Sequence, residues 1–249
     1  MMRRLLDTSI VLRYLFVRPV KDFIIITGAD SSHFKSLKQF LKSVFQYEKT
    51  SSIIVFDLGL EERERKELQR IFPTIQMRIF DYSQYPDFFY IKINAGEYAW
   101  KPIIISDILQ EFQSAVCWMD AGNVLTSSLT MIRKIINSIG IYSPRSLGTI
   151  RAWTHPKTLE FMRVSDELLN RRNVNGACVA VNFRVDKAMA IANRWRECAL
   201  TKECIAPEGS NRANHRQDQA VLSVLIHQAG LTKRMPIHKF GFITHQDIH

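Results

Sequence analysis

Apolar runs and one-sided amphipathic stretches alternate through the first half of the chain. The β-branched run Phe23–Asp30 ends in a turn and precedes a stretch whose apolar residues recur on one helical face. Ser52–Leu60 repeats this pattern ahead of a highly charged helix over 61–71, and a short strand over 75–80 follows. Strands that alternate with helices predict a parallel sheet covered on both faces. Because no G-x-G-x-x-G follows either strand, this half is Rossmann-like without the dinucleotide fingerprint.

The second half continues the alternation of apolar and amphipathic segments. The pattern predicts buried strands over 115–120 and 175–182, and it predicts helices over 103–112, 124–139, 155–170 and 186–200 and a last apolar helix through Ile226. No internal repeat, low-complexity stretch or flexible linker interrupts the sequence. We therefore expect a single α/β domain over residues 1–249.

Three polar clusters adjoin apolar elements. The run Ala115–Met119 stops abruptly at Asp120, Asn175–Gly176 opens the next buried strand, and Asp218–Gln219 opens the last helix. A carboxylate at the end of a buried strand lies at the carboxyl edge of the sheet, where open α/β folds bind ligands. This position suits a metal, a phosphate or a sugar, although an aspartate before a glycine also opens ordinary turns.

Composition limits the ligands without choosing one. The chain has 249 residues, of which 46% are apolar, and this predicts an ordinary globular core. A formal charge of +10 favours anionic partners, which include nucleic acid, an anionic membrane, a nucleotide diphosphate and an acidic glycan. No run approaches the roughly 20 apolar residues of a membrane span. Asp7, Arg13 and Arg18 interrupt the apolar region that an N-terminal signal peptide would need. We therefore expect a cytoplasmic protein that could rest on a membrane surface.

The four cysteines do not form a recognisable metal motif. Cys117 and Cys178 lie in apolar runs and are expected to be small core residues. Cys198 and Cys204 flank a short segment and could close it as a disulfide, which cytosolic redox conditions disfavour. A zinc site would require tighter pairs such as C-x-x-C, so metal binding by cysteine is disfavoured.

The order of several short motifs carries a family resemblance. The motifs are Tyr98–Pro102, Trp118–Asp120, Asn175–Cys178, Cys198–Leu200 with Cys204–Pro207, and His215–Gln219. Together they resemble glycosyltransferases of the GT-A fold, which use nucleotide sugars, and more closely the DUF1647 family, whose members are expected to be glycosyltransferases. The resemblance extends from about Phe23 to the C-terminus. It implies one GT-A-like domain with a Rossmann-type, mixed and mostly parallel sheet flanked by helices.

The resemblance also assigns a donor pocket. The first strand and its loop would hold the base and ribose of a UDP- or GDP-sugar, through Thr27, Gly28, Ala29 and Asp57. A simple strand-to-helix turn is the alternative for Thr27 and Gly28.

Further polar residues would meet the diphosphate and the sugar. Lys101 would contact a diphosphate oxygen as a compact charge, although an exposed lysine near a helix start is common. Asn175 and Gly176 would line the sugar pocket, since an asparagine offers both a donor and an acceptor and a glycine permits close approach. His215 and Arg216 would bind phosphate or acceptor, or contribute only surface charge.

The sequence departs from the family pattern at the metal-binding motif. GT-A enzymes hold a divalent cation with Asp-x-Asp, whereas Asp120 is followed by Ala121–Gly122 and then Asn123. Asp120 and Asn123, with His238 or His245, would supply ligands for Mn²⁺ or Mg²⁺, which prefer several oxygens. The alternative is that cationic residues replace the metal, and both possibilities stay open.

The resemblance assigns the chemistry to Asp218 and Gln219. A carboxylate facing the anomeric carbon accepts the acceptor's proton in an inverting reaction or stabilises a positively charged sugar in a retaining one. A helix N-cap is the alternative role for Asp218. Trp153 could stack on a sugar face, although a buried tryptophan is the more common case.

The sequence thus predicts a hexosyltransferase-like enzyme. It would transfer a sugar from a nucleotide-sugar donor to a hydroxyl group of a glycan, a lipid-linked molecule or another acceptor. This reaction would belong to the biosynthesis of a surface polysaccharide. A nucleic-acid-binding protein is the first alternative, which dispersed Arg and Lys and the lack of a known module disfavour. A non-catalytic, glycan-binding GT-A homologue is the second, since the second aspartate is missing.

Overall fold

A central sheet of six strands organises the fold. The computed structural model describes residues 11–248. The strands are β1 (Phe23–Asp30), β2 (Ser52–Gly59), β3 (Gln76–Ile79), β4 (Ala115–Met119), β5 (Val124–Leu125), β6 (Ile141–Tyr142), β7 (Arg145–Thr149), β8 (Arg172–Val174), β9 (Cys178–Asn182) and β10 (Phe242–Ile243). The central sheet has the order β3-β2-β1-β4-β9-β6, and β10 pairs with β5 and β7 with β8 in two small ribbons.

The sheet is mixed, and its parallel part comes first. β1 pairs in parallel with β2 and β4, and β2 pairs in parallel with β3. β9 runs antiparallel to both β4 and β6. β1 is buried along almost its whole length, as expected for a parallel strand that is covered on both faces. The predicted α/β class, with a mixed and mostly parallel sheet, is therefore confirmed.

Helices cover the sheet and contribute the rest of the core. They are α1 (Phe34–Tyr47), α2 (Glu62–Ile71), α3 (Trp100–Phe112), α4 (Thr130–Ile139), α5 (Ile150–Trp153), α6 (Pro156–Phe161), α7 (Asp166–Leu169), α8 (Asp186–Leu200), α9 (Lys202–Ile205) and α10 (Gln217–Gln228). α1 buries Leu37, Phe40 and Leu41 completely, as its apolar spacing predicts. α8 packs against both α3 and α10, which brings the start of α10 toward the sheet.

Two predicted helices differ from the structure. The segment predicted as a helix over 124–139 begins with β5, and the helix starts only at Thr130. The reason is tertiary, because the carbonyl of Gly241 accepts hydrogen bonds from the backbone N–H groups of Thr126 and Ser127 at 2.8 and 3.2 Å. The helix predicted over 155–170 is divided into α6 and α7, since Arg163 adopts a left-handed conformation with φ of 50°.

Of the two alternatives for Cys198 and Cys204, the disulfide, which cytosolic redox conditions disfavour, is the one that the structure has. These residues form a disulfide with Cα atoms 5.2 Å apart. The chain reverses between α8 and α9, because the Thr201 N–H donates to the Cys198 carbonyl at 3.1 Å. This turn brings the two sulfur atoms together although only five residues lie between the cysteines in sequence. Cys117 and Cys178 are buried free thiols in β4 and β9, as predicted.

Within residues 11–248, no helix has both the length and the apolar character needed to cross a bilayer. Most of the N-terminal stretch that was weighed as a signal sequence lies outside the described residues.

The disulfide generates a stability prediction. Replacing both Cys198 and Cys204 with alanine should lower the free energy of unfolding by about 2 kcal/mol, because a cross-link over a short loop restricts the unfolded chain. Denaturant unfolding of the oxidised protein and the variant measures this difference. A reductant should lower the stability of the wild type and leave the variant unchanged. Equal wild-type stability with and without reductant would contradict the prediction.

Candidate active site

A cleft of about 730 Å³ opens at the edge of the sheet where β1 and β4 end. Because β9 runs antiparallel to β4, the beginning of β9 lies at this same edge. The Asp120 N–H donates to the Ala177 carbonyl at 2.9 Å, and this bond fixes the two segments together. The walls include Gly28, Ala29, Lys101, Asp120, Asn123, Asn175, Gly176, Asp218 and Gln219. The structure thus brings together the three polar clusters that precede or follow apolar elements.

A buried lysine joins these clusters. Lys101, in the first turn of α3, is 2% exposed. Its Nζ lies 3.1 Å from Asp120 Oδ1 and 3.0 Å from Asp218 Oδ2, and it donates to the Gly176 carbonyl at 3.3 Å. An unpaired ammonium at this depth would be strongly destabilising, so the two carboxylates are its necessary counterions.

The environments of Lys101 and Asp218 shift both pKa values. Burial opposes the charge of Lys101, but the neighbouring Asp120 and Asp218 outweigh it and raise the lysine pKa above its ordinary value. Lys101 therefore stays charged at physiological pH. Burial raises the pKa of Asp218, while the ammonium of Lys101 opposes this shift. A carboxylate with a raised pKa is a stronger proton acceptor than an ordinary one.

Aromatic rings enclose the lysine. The ring centroids of Tyr98, Trp100 and Trp118 lie 5.6, 5.8 and 5.6 Å from Lys101 Nζ. Trp118 is fully buried in the core, and its Nε1 donates to Asp120 Oδ1 at 2.6 Å. Oδ1 of Asp120 is thus held by two donors. The Asp120 side chain nevertheless remains 39% exposed, so this carboxylate stays accessible from the cleft.

Gly176 allows the segment before β9 to approach α10. A Cβ atom at this position would lie 3.1 Å from Asp218 Oδ2 and 3.3 Å from Gln219 Cβ. The Gly176 N–H donates to Gln219 Oε1 at 3.2 Å, which fixes the glutamine side chain. The side chain of Asn175 is engaged locally, since its Oδ1 accepts from the Ala177 N–H at 2.8 Å. A larger residue at 176 would push Asp218 away from its place.

Sequence reasoning missed a second group of charged residues in the cleft. Asp30, His33 and Asp247 line it, and His33 Nδ1 lies 2.9 Å from Asp30 Oδ1. The hydrogen bond with Asp30 raises the pKa of His33, and the charges of Asp247 and Asp120 add to this effect. Asp247 packs so closely on Gly122 that a Cβ there would collide with its carboxylate. Only the folded chain brings residues this distant in sequence together, so spacing carried no signal for them.

The structure does not bring Asp120 together with His238, which was predicted as a metal ligand. The His238 ring lies beside Phe240, its carbonyl accepts from the Tyr142 hydroxyl, and it is not among the cleft residues. His245 does line the cleft. Within residues 11–248, no group of three or more His, Cys, Asp or Glu side chains is arranged to hold a metal.

Three other predicted donor residues support the fold instead of lining the cleft. Thr27 is fully buried in β1. The carboxylate of Asp57 accepts from the Gly59 and Leu60 N–H groups at 2.8 and 2.6 Å and from Arg65 Nη1 at 2.7 Å. His215 is fully buried, and its ring contacts the backbone of two other segments. None of these three predicted donor-site residues is among the residues that line the cleft.

A strained segment forms one wall of the cleft. Residues 94–98 all have positive φ values, between 48° and 62°, and Tyr98 and Ala95 of this run line the cleft. Left-handed backbone costs about 1–2 kcal/mol per non-glycine residue, so the segment needs support. The buried Glu97 supplies it, because its carboxylate accepts from Asn94 Nδ2 at 3.2 Å and from Gln217 Nε2 at 3.1 Å.

Comparison with known proteins agrees with this architecture. The family described as a protein of unknown function (DUF1647) matches residues 7–106. No curated protein matches the chain in sequence. Among solved structures, the bifunctional glycosyltransferase WbbM in its apo form has a TM-score of 0.52 and 10% identity. That match covers 90% of this chain and 39% of WbbM, so this chain spans well under half of that protein.

Two further solved structures are similar. Galactosyltransferase LgtC, in complex with donor and acceptor sugar analogs, has a TM-score of 0.51 and 16% identity, covering 81% of this chain and 69% of LgtC. Core-mannan synthase A from Aspergillus fumigatus, in its Mn/GDP form, has a TM-score of 0.57 and 8% identity, covering 83% and 69% of the two chains. This chain therefore has the GT-A glycosyltransferase fold.

Removing the buried ammonium of Lys101 should destabilise the folded protein. Lys101→Met leaves the buried carboxylate of Asp218 without its counterion and close to that of Asp120, so we expect the free energy of unfolding at neutral pH to fall by about 3–5 kcal/mol. Denaturant unfolding measures this loss. Lys187→Met, at an exposed position of α8, is the matched control and should leave stability unchanged. A Lys101→Met protein as stable as the wild type would show that the carboxylates do not depend on this lysine.

Burial of His215 predicts a pH dependence of stability. Burial lowers the pKa of His215 to about 4, so below the ordinary pKa of about 6.5 the unfolded chain binds a proton that the folded chain does not. This contribution to stability is present above that value and is lost as the pH falls toward 4. His215→Gln should remove up to about 3 kcal/mol of the change in unfolding free energy between pH 7 and pH 4. Identical pH profiles for the two proteins would contradict this assignment.

Proposed function

We propose that this protein transfers a sugar from a nucleotide-sugar donor to a hydroxyl group of an acceptor. The observation that carries the proposal is the pair of carboxylates, Asp120 and Asp218, that Lys101 holds together at the edge of a GT-A sheet. Ligands of open α/β folds bind at this edge. A hexosyl donor linked to UDP or GDP, and a glycan or lipid-linked acceptor in surface polysaccharide synthesis, belong to the same proposal.

The donor would enter from the side of β1. Gly28 and Ala29 present backbone at the cleft wall, and the base and ribose would lie against them. Asp120 would then lie near the diphosphate, and Gly176 beside the sugar. LgtC, described with donor and acceptor sugar analogs, and core-mannan synthase A, described in a Mn/GDP form, support a donor of this class.

Asp218 is the proposed catalytic residue. In an inverting reaction, the acceptor oxygen bonds to the anomeric carbon, the bond from that carbon to the phosphate oxygen breaks, and Asp218 takes the hydroxyl proton. In a retaining reaction, the same carboxylate would stabilise the positive charge on the sugar. Lys101 positions this carboxylate. Gln219, whose Oε1 is bonded to Gly176, has its amide nitrogen left for a sugar hydroxyl.

The residues around Gly122 suit a divalent cation. Asn123 Oδ1 is buried and has no hydrogen-bond partner among the described residues. Asp120 and Asp247 line the same cleft, and the Asp247 carboxylate packs against Gly122. Hard cations take such oxygen ligands, and Mg²⁺ is commonly held by one or two carboxylates plus substrate phosphates. Asp120, Asn123 and Asp247 would therefore hold Mn²⁺ or Mg²⁺. Such an ion would neutralise charge on the leaving diphosphate.

The single domain over 1–249 and the cytoplasmic, membrane-peripheral location stay predictions. The Cys198–Cys204 disulfide bears on the second, since such bonds persist mainly in oxidising compartments.

A panel of nucleotide sugars tests the proposal. At least one UDP- or GDP-sugar should raise the melting temperature, because a ligand that binds only the folded state stabilises it. The panel is measured with and without Mn²⁺, and a shift that requires the metal would support the site at Asp120 and Asp247. The absence of a shift from every donor, in both conditions, would count against the proposed function.

Asp218→Asn separates binding from chemistry in the same assay. This variant should still show the donor-induced melting shift, while its release of nucleoside diphosphate from the donor falls by about 10²–10⁴-fold, the range of general acid–base catalysis. Asp186→Asn, at the exposed start of α8, is the matched control and should keep full turnover. Donor binding without turnover in the wild type would favour the non-catalytic homologue instead.

A further inference from the structure

Two arginines in the cleft are not used by the proposed donor and catalytic residues. Arg212 and Arg216 lie in the loop before α10 and line the cleft. The guanidinium carbon of Arg212 is 5.1 Å from the centroid of the Tyr98 ring, and that of Arg216 is 4.2 Å from the centroid of the Trp153 ring. The rings fix the two guanidinium planes, because arginine stacks on aromatic faces.

Neither guanidinium has a carboxylate partner among residues 11–248. Arg212 donates a hydrogen bond to the Tyr98 hydroxyl, and Arg216 has its contact with Trp153. The third basic side chain that is invariably charged in this cleft, Lys101, is by contrast paired with Asp120 and Asp218. The two arginines therefore carry positive charge without a carboxylate beside it, and each has most of its N–H donors available to a ligand.

The shape of an arginine selects the chemistry of that ligand. A guanidinium presents paired N–H donors that match two oxygens of a carboxylate or of a tetrahedral phosphate or sulfate group. Tyr98 and Trp153 add flat apolar surfaces beside these donors, as ligand sites commonly do. Leu147 lines the same cleft and is 81% exposed, which extends the apolar surface outward. A flat, hydroxylated ring that carries an anionic group fits both features.

We propose that Arg212 and Arg216 form an acceptor subsite for an acidic glycan, one whose sugars carry carboxylate or sulfate groups. This inference rests on the proposed transferase function. The subsite is close to the reacting centre, since Arg216 lies two residues before Asp218. An anionic sugar bound there would present a neighbouring hydroxyl toward Asp218. The positive charge would thus select the acceptor rather than the donor.

Binding of small oligosaccharides tests the proposal. Isothermal titration calorimetry compares the binding of three probes at physiological salt. Salt screens the general attraction of anions to a protein of charge +10. These are a hyaluronan tetrasaccharide with carboxylates only, a sulfated maltotetraose with sulfates only, and neutral maltotetraose. At least one acidic probe should bind about tenfold or more tightly than the neutral one, as expected for charge-assisted hydrogen bonds. The probe that binds identifies carboxylate or sulfate as the recognised group.

Variants separate this subsite from general charge. Arg212→Gln with Arg216→Gln should abolish the preference for the acidic probe, while Arg184→Gln, an exposed arginine outside the cleft, should keep it. The two single variants, checked for an unchanged melting temperature, stand in if the double variant does not fold. Equal affinity for acidic and neutral probes, no binding of any probe, or an equal loss in Arg184→Gln would overturn the proposal.

Nucleotide binding distinguishes this proposal from the function on which it rests. UDP and GDP affinities are measured on the same proteins, and the double variant should match the wild type. A loss of nucleotide affinity with acidic-probe binding retained would assign the arginines to the diphosphate and overturn the subsite. Failure of the wild type to bind any nucleotide or nucleotide sugar would overturn the transferase function itself.

Discussion

The ion triad of Lys101, Asp120 and Asp218 is the interaction on which the cleft depends. Its members come from the first turn of α3, the end of β4 and the first turn of α10, and the Gly176 carbonyl completes it. Moving charges into a protein interior costs several kcal/mol per ion, and only good mutual geometry recovers this. The triad therefore ties three separate elements to one point. Each element is in turn held by its own burial in the core.

The topology of the sheet makes the triad possible. If β9 were parallel to β4, its far end at Asn182 would lie at the cleft, and Gly176 would lie at the opposite edge of the sheet. The observed antiparallel pairing, with Met119 opposite Cys178, places Asn175 and Gly176 beside Asp120 instead. A glycine at this point then lets α10 come close enough for its aspartate to reach the lysine. The antiparallel direction of β9 thus places polar residues of a further segment at the edge of the sheet where β1 and β4 end.

Sequence reasoning predicted the parts of this site that depend on local pattern. Asp120 follows an unbroken apolar strand and Asp218 opens an apolar helix, so their place at the sheet edge follows from elements that the periodicity already defined. Asp57 and His215 look equally suitable, but backbone groups of the fold use their side chains. Whether a polar side chain is satisfied locally or faces a ligand depends on packing, which periodicity does not encode.

The charged residues that sequence reasoning missed depend on contacts between distant segments. Asp247 reaches the cleft only because the C-terminal segment pairs with the chain near Gly122, where the Gln246 N–H donates to the Gly122 carbonyl at 2.8 Å. The stacking of Arg212 on Tyr98 likewise requires the left-handed turn over 94–98, which the propensities of Ala95, Glu97 and Tyr98 disfavour.

The charge of the triad limits how the cleft binds anions. Lys101 is saturated by two carboxylates, so it has little positive charge left for a diphosphate. In the proposed transferase, a cation at Asp120 and Asp247 would meet the phosphate charge, and this would leave Arg212 and Arg216 for the acceptor. The bond from Gln217 to Glu97 links the two sides, because it joins the segment of Arg216 and Asp218 to the strained turn that carries Tyr98. An anion bound by Arg212 would therefore lie beside Tyr98, in a segment that is hydrogen-bonded to the residue before Asp218.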